Sequence, residues 1–203
     1  PFAVLAMLMA FYNRIDSVML ERILRDNGVQ AGIYALAFRL LDAANMIAVL
    51  SAGLLLPMYS RMIKFNESVE SLVKTSYTVL MTLAIVVACG CFFYGDRIMQ
   101  MLYHGTDVTE ASKVFRILMC CFMGSVTQYV FGTLLTANGN LKSLNIIAAS
   151  GMLVNIGFNF IMIPRLQAVG SAYVSLATQL LVSAIQLLVI QKVFKFKTLY
   201  KLF

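Results

Sequence analysis

Four stretches of this chain run for more than twenty residues without a charged side chain. They cover 21 residues between Lys74 and Asp96, 25 between Arg116 and Lys142, 22 between Lys142 and Arg165, and 26 between Arg165 and Lys192. An α-helix needs about 20 mostly apolar residues to cross the ~30 Å hydrocarbon core of a bilayer. Two further apolar regions, 1–20 and 31–56, have the length but carry interior charges, Arg14 and Asp16 in the first, Arg39 and Asp42 in the second. In lipid every backbone polar group must be satisfied within the structure, and none of these runs shows the period-2 alternation of barrel strands. The pattern therefore predicts an all-α integral membrane protein. It is a six-transmembrane-helix bundle with approximate spans 1–20, 31–56, 75–95, 114–136, 143–163 and 169–191. Composition agrees: 12% of the 203 residues are charged and 61% hydrophobic, against about 25% charged in an ordinary soluble chain. Disorder, a coiled coil and a soluble enzyme core are excluded.

Turn and breaker residues fall where this division needs them. Asp26-Asn27-Gly28 separates the first two spans, Pro57 is expected to close the second, Tyr94-Gly95-Asp96 the third and Pro164 the fifth, while Asn138-Gly139-Asn140 divides the fourth from the fifth. Residues 57–74 read as a short interfacial helix, and Asp107 followed by Glu110 as a capping box opening the fourth span. Residues 192–203 set Lys192, Lys195, Lys197 and Lys201 among aromatic and aliphatic side chains, a basic tail suited to a membrane surface.

With six spans the cations separate into eight on one side (Arg61, Lys64, Lys74, Lys142 and the four tail lysines) and six on the other (Arg22, Arg25, Arg97, Lys113, Arg116, Arg165). That bias sets both ends in the cytoplasm. The first residue is Pro1 and the apolar run begins at once, so the chain is expected to be a fragment of a longer one.

Little here suggests covalent chemistry. Cys89 and Cys91 in the third span, and Cys120 and Cys121 in the fourth, lack metal-ligand spacing and read as small buried hydrophobes. The lone His104 is a loop residue without a carboxylate cluster, so no metal site is expected. There is no Walker-type loop, GxSxG or HExxH, hence no encoded ATP hydrolysis or common hydrolase mechanism. No cofactor and no nucleic-acid partner are expected.

The intramembrane polar groups carry the functional reading. An Arg or Asp at mid-membrane costs about 2.5–3.5 kcal/mol on insertion scales, and Arg14, Asp16, Arg39 and Asp42 cancel in sign. Asp16 and Arg39 lie at comparable depths in a hairpin and could pair, and Arg39 and Asp42 are three apart on one helix face. Two roles stand open: an internal pair that sets helix packing, or a wet cavity in which Arg14 and Arg39 meet an anionic headgroup while Asp16 or Asp42 carries a proton or sodium ion. On the fifth span Gly151, Asn155 and Asn159 recur every four residues along one stripe. They serve either close packing and interhelical hydrogen bonds or a polar wall for sugar hydroxyls. Gln128, Tyr129, Gln179 and Gln186 add polarity at membrane depth.

The run Asn13-Arg14-Ile15-Asp16-Ser17-Val18-Met19-Leu20, followed by Gly32-Ile33-Tyr34-Ala35-Leu36-Ala37-Phe38-Arg39-Leu40-Leu41, resembles the seventh and eighth helices of oligosaccharide flippases of polysaccharide biosynthesis. Ala137-Asn138-Gly139-Asn140-Leu141-Lys142, Asn155 to Asn159, Ile163-Pro164 and Gly170-Ser171-Ala172-Tyr173 are similar to that family's later helices. The resemblance implies a member of the multidrug, oligosaccharidyl-lipid and polysaccharide exporter superfamily, with this chain as the C-terminal half of a two-bundle transporter. It further implies alternating access in the bacterial inner membrane, with an undecaprenyl-diphosphate-linked oligosaccharide as cargo. The partners would be that lipid, membrane lipids and an N-terminal six-helix bundle missing from this sequence. Substrate contacts are expected at Arg14, Arg39, Asn155 and Asn159, and ion coupling at Asp16 and Asp42. Alternatives are a lipid II flippase or a cation-coupled drug exporter of the same superfamily. From other classes come a membrane glycosyltransferase or polymerase, disfavoured by the short loops, and a purely structural subunit.

Overall fold

A computed structural model describes residues 2–24, 26, 28–103 and 108–194, with side chains in the first helix given for Met7 and from Arg14 onward. The Asp107 capping box, His104 and the tail lysines Lys195, Lys197 and Lys201 lie outside the described residues. The described chain is helical: α1 (Phe2–Leu24), α2 (Val29–Lys64), α3 (Glu70–Leu102), α4 (Val108–Ala137) and α5 (Leu141–Phe194). Of these, α2 to α5 are long and apolar enough to cross a membrane. The sixth expected helix does not appear separately, because α5 runs for 54 residues and is interrupted at Gln167 (φ 52, ψ −135).

Three expected helix ends fall elsewhere. Pro57 lies inside α2, which continues to Lys64, so no separate interfacial helix follows it and residues 65–69 form the turn. A proline removes one intrahelical hydrogen bond and need not end a helix that bundle packing supports on both sides. Gly95 lies inside α3 because it is a contact point: a Cβ there would sit 2.8 Å from Cγ of Arg116. Pro164 likewise remains helical, and the break comes three residues later. There the N–H of Ala168 is hydrogen-bonded by Oε1 of Gln30 at 3.1 Å. The Asn138-Gly139-Asn140 turn is where the sequence puts it, with Gly139 at φ 79. Asp26 accepts from the N–H groups of Gly28 and Gln30 and so caps the start of α2.

The bundle is organised about α4, which packs against α2, α3 and α5 and is the most buried helix. Phe115, Leu118, Phe122, Phe131, Leu134 and Leu135 of α4 are all buried. Tyr77 of α3 meets Phe131 with ring centroids 4.9 Å apart and shares a 3.3 Å hydrogen bond with Thr127. The two arms of α5, before and after Gln167, touch at Gly151, where a Cβ would lie 2.5 Å from Cγ2 of Val182. That contact lets the arms lie side by side with α1 packed on them. The outward faces of α2 and α3, with Leu50, Leu54, Val86 and Phe93 exposed, are apolar, as lipid-facing surface must be.

Candidate functional site

The helices bring four elements together around one carboxylate. Asp16, eight residues before the end of α1, is 4% exposed. Its Oδ2 accepts hydrogen bonds from Tyr34 Oη at 2.9 Å and Ser175 Oγ at 2.6 Å, and its Oδ1 accepts one from Asn159 Nδ2 at 2.6 Å. The Asn159 amide donates also to Asn155 Oδ1 at 2.9 Å, and Tyr34 Oη and Ser175 Oγ are 3.0 Å apart. Residue spacing explains the convergence. Asn155 and Asn159 are one turn apart on the first arm of α5, Ser175 comes from the second arm, and the bend at Gln167 folds both toward α1. Three donors around one carboxylate match the acceptor-only inventory of an ionised Asp. One acceptor is left over: Oδ1 of Asn159 is buried without a hydrogen-bond partner.

The expected pairing of Asp16 with Arg39 is not made, because Asp16 turns into the bundle while Arg39 is exposed on α2. The Arg39–Asp42 pair is not formed either; among the described residues the only ion pair joins Arg116 to Asp96. Asp42 is exposed, and the cation acting on it is Arg14 of α1. Two separate groups result: a neutral-partnered carboxylate inside the bundle, and the exposed charges Arg14 on α1 and Arg39 and Asp42 on α2, of which Arg14 and Asp42 interact. Asn155 and Asn159, 1% and 0% exposed, belong to the first. In this conformation they face Asp16 and not an open sugar-binding wall.

Sequence reasoning missed Tyr34, Ser175 and Gln30. Nothing in their local patterns marks them, since each acquires its role from a helix more than a dozen residues away. Gln30 joins three helices at one end of the bundle, donating from Nε2 to Glu110 at 3.0 Å while accepting from Ala168 N. The amides noted at membrane depth do cluster. Gln128 donates to the side chain of Gln179, and Gln186 donates to the Gln128 carbonyl at 3.3 Å. They line a cavity of about 270 Å³ between α2, α4 and both arms of α5.

A family model described as "Lipid II flippase MurJ" matches residues 1–203 of this chain. No curated protein and no solved structure matches it. The match supports a flippase of the expected superfamily, and favours the lipid II cargo over the polysaccharide-assembly oligosaccharide.

Proposed function

This chain belongs to the lipid II flippase MurJ family, a family of multi-pass lipid transporters and not of catalytic enzymes, and from that premise we propose that it carries lipid II from the cytoplasmic to the outer leaflet of the bacterial inner membrane. In this reading α1, α2, α3, α4 and the two arms of α5 make six spans, and a second bundle completes a cavity that opens alternately to either side.

The observation that carries the reading is the exposure of two arginines, Arg14 and Arg39, at membrane depth. Arg14 lies ten residues before the end of α1 and Arg39 ten residues after the start of α2. At 1.5 Å per residue each is about 15 Å from the hairpin end, half of a ~30 Å hydrocarbon core. Charges exposed at that depth are tolerated on a wet or protein-covered face, not against lipid. Two guanidinium groups there suit a diphosphate, which takes paired N–H donors, while the prenyl chain remains in lipid.

Asp16 is the coupling group in this proposal, with Asn155, Asn159 and Ser175 as the neutral, oxygen-bearing side chains around it. A hard monovalent cation prefers such oxygens, and the unpaired Oδ1 of Asn159 supports an additional occupant. A proton on Asp16 is the other form of the same idea. Asp42, exposed beside Arg14, serves the headgroup surface.

The test is translocation of fluorescent lipid II by the intact protein in proteoliposomes. Arg14→Ala and Arg39→Ala are expected to lower the rate at least tenfold with normal folding, and Asp16→Asn to remove the dependence on a sodium or proton gradient. A well-folded parent that moves no lipid II under either gradient would overturn the assignment.

A further inference from the structure

We infer that the 270 Å³ amide-lined cavity is a one-sided aqueous vestibule through which a hydrated monovalent cation reaches Asp16, entering from the face that carries the α4–α5 turn. The inference rests on the coupling role proposed for Asp16.

Helix register carries the argument. Tyr34, which binds Asp16, is followed on the same face of α2 by Phe38, Leu41 and Asn45, and Ser175, which also binds it, by Gln179, Val182 and Gln186 on the second arm of α5. Both sequences advance by four, three and four residues, so each is a single stripe. Gly151 and Asn155 on the first arm continue, in the direction of decreasing residue number, toward Ala148, Ile147 and Leu144, which also line the cavity. The cavity therefore begins one turn from the carboxylate's own partners. From Gln179 to Gln186 it extends about 10 Å at 1.5 Å per residue. On α4 it reaches Thr136, the penultimate residue before that helix ends in the Asn138–Asn140 turn.

The lining calls for water. Oδ1 of Asn45, a cavity residue, is buried with no protein partner. An apolar occupant would leave that acceptor unsatisfied, at about 1–3 kcal/mol, whereas water meets it and the cavity has room for several. Gln128, Gln179 and Gln186 hold one another in place and keep amide oxygens along the path. The other end is shut. Gln30 ties the starts of α2 and α4 to the break in α5, and Leu20 and Tyr34 are fully buried beside Asp16. Phe38 stacks on Tyr34 with ring centroids 5.7 Å apart, so this pair stands as the internal barrier between vestibule and carboxylate.

The experiment uses the intact protein in proteoliposomes with its four native cysteines replaced and Thr133→Cys or Ala148→Cys introduced. A membrane-impermeant cationic methanethiosulfonate is added from one side at a time. Modification from the α4–α5-turn side at least tenfold faster than from the other is expected. No modification, or equal rates from both sides, overturns the vestibule. In parallel Gln186→Leu, which removes an amide without adding bulk, and Gly132→Val, whose added Cβ would approach Nε2 of Gln186 to 3.0 Å, are expected to raise the cation concentration needed for half-maximal translocation at least fivefold. Unchanged cation dependence in both folded variants also overturns it. Asp16→Asn separates the two ideas: if it leaves the cation dependence intact the coupling role of Asp16 fails, while one-sided thiol labelling still reports that the cavity is wet.

Discussion

Replacing Gly151 by Ala tests the packing that assembles the Asp16 site. The new methyl carbon would lie 2.5 Å from Cγ2 of Val182, with Thr178 Cγ2 at 4.0 Å. Carbon atoms settle at about 3.5–4.0 Å, so at least an ångström of separation must come from somewhere. Turning Val182 off its rotamer costs about 0.5–1.5 kcal/mol, and overpacking a tight core costs about 1–3 kcal/mol in total. Moving the arms apart instead would draw Asn155 and Asn159 away from Ser175, one or two turns further along. Gly151→Ala is therefore expected to destabilise the bundle by about 1–3 kcal/mol and to weaken the cation dependence of translocation. Val182→Ala removes the clashing methyl, so the double variant should recover most of the loss, a coupling that a double-mutant cycle reads directly. Reversible unfolding in detergent micelles supplies the free energies. Gly151→Ala as stable as the parent, or an additive double variant, would refute the contact as the determinant of arm spacing.

Gln30→Leu should cost about 1–3 kcal/mol by orphaning the buried N–H of Ala168, seen as a lower unfolding midpoint. If the Gln30 junction also seals the end of the bundle opposite the α4–α5 turn, the same variant should admit the cationic thiol reagent from that side. Disrupting Arg116–Asp96 by Asp96→Asn should change stability by no more than about 1 kcal/mol, since the Asp96 side chain is 55% exposed and exposed pairs contribute little; a larger loss in the same unfolding assay would show that the pair is shielded in the membrane.

The stretches free of charge made the helical membrane fold legible, because their length is matched to a property of the bilayer and not to any partner helix. Helix ends were harder to read. Pro57, Gly95 and Pro164 are strong breakers by local preference, yet each lies in a helix whose flanks are held by neighbouring packing, and Gly95 is small because the side chain of Arg116 crosses it. The Asn138–Asn140 turn was legible because Gly139 at φ 79 answers a purely local backbone need.

The candidate site divides in the same way. Sequence by itself determined which residues are costly at membrane depth, Arg14, Asp16, Arg39 and Asp42, and that Gly151, Asn155 and Asn159 share a stripe. Those follow from hydration cost and helical period, which act residue by residue. Only tertiary structure decided who answers whom. Asp16 is met by Tyr34, Asn159 and Ser175 and not by Arg39, and Arg14 acts on Asp42 across α1 and α2. The reason is rotational. A period of 3.6 residues says which side chains share a face, but the direction each face points is set by packing around α4 and by the bend at Gln167, contacts between residues far apart in the chain.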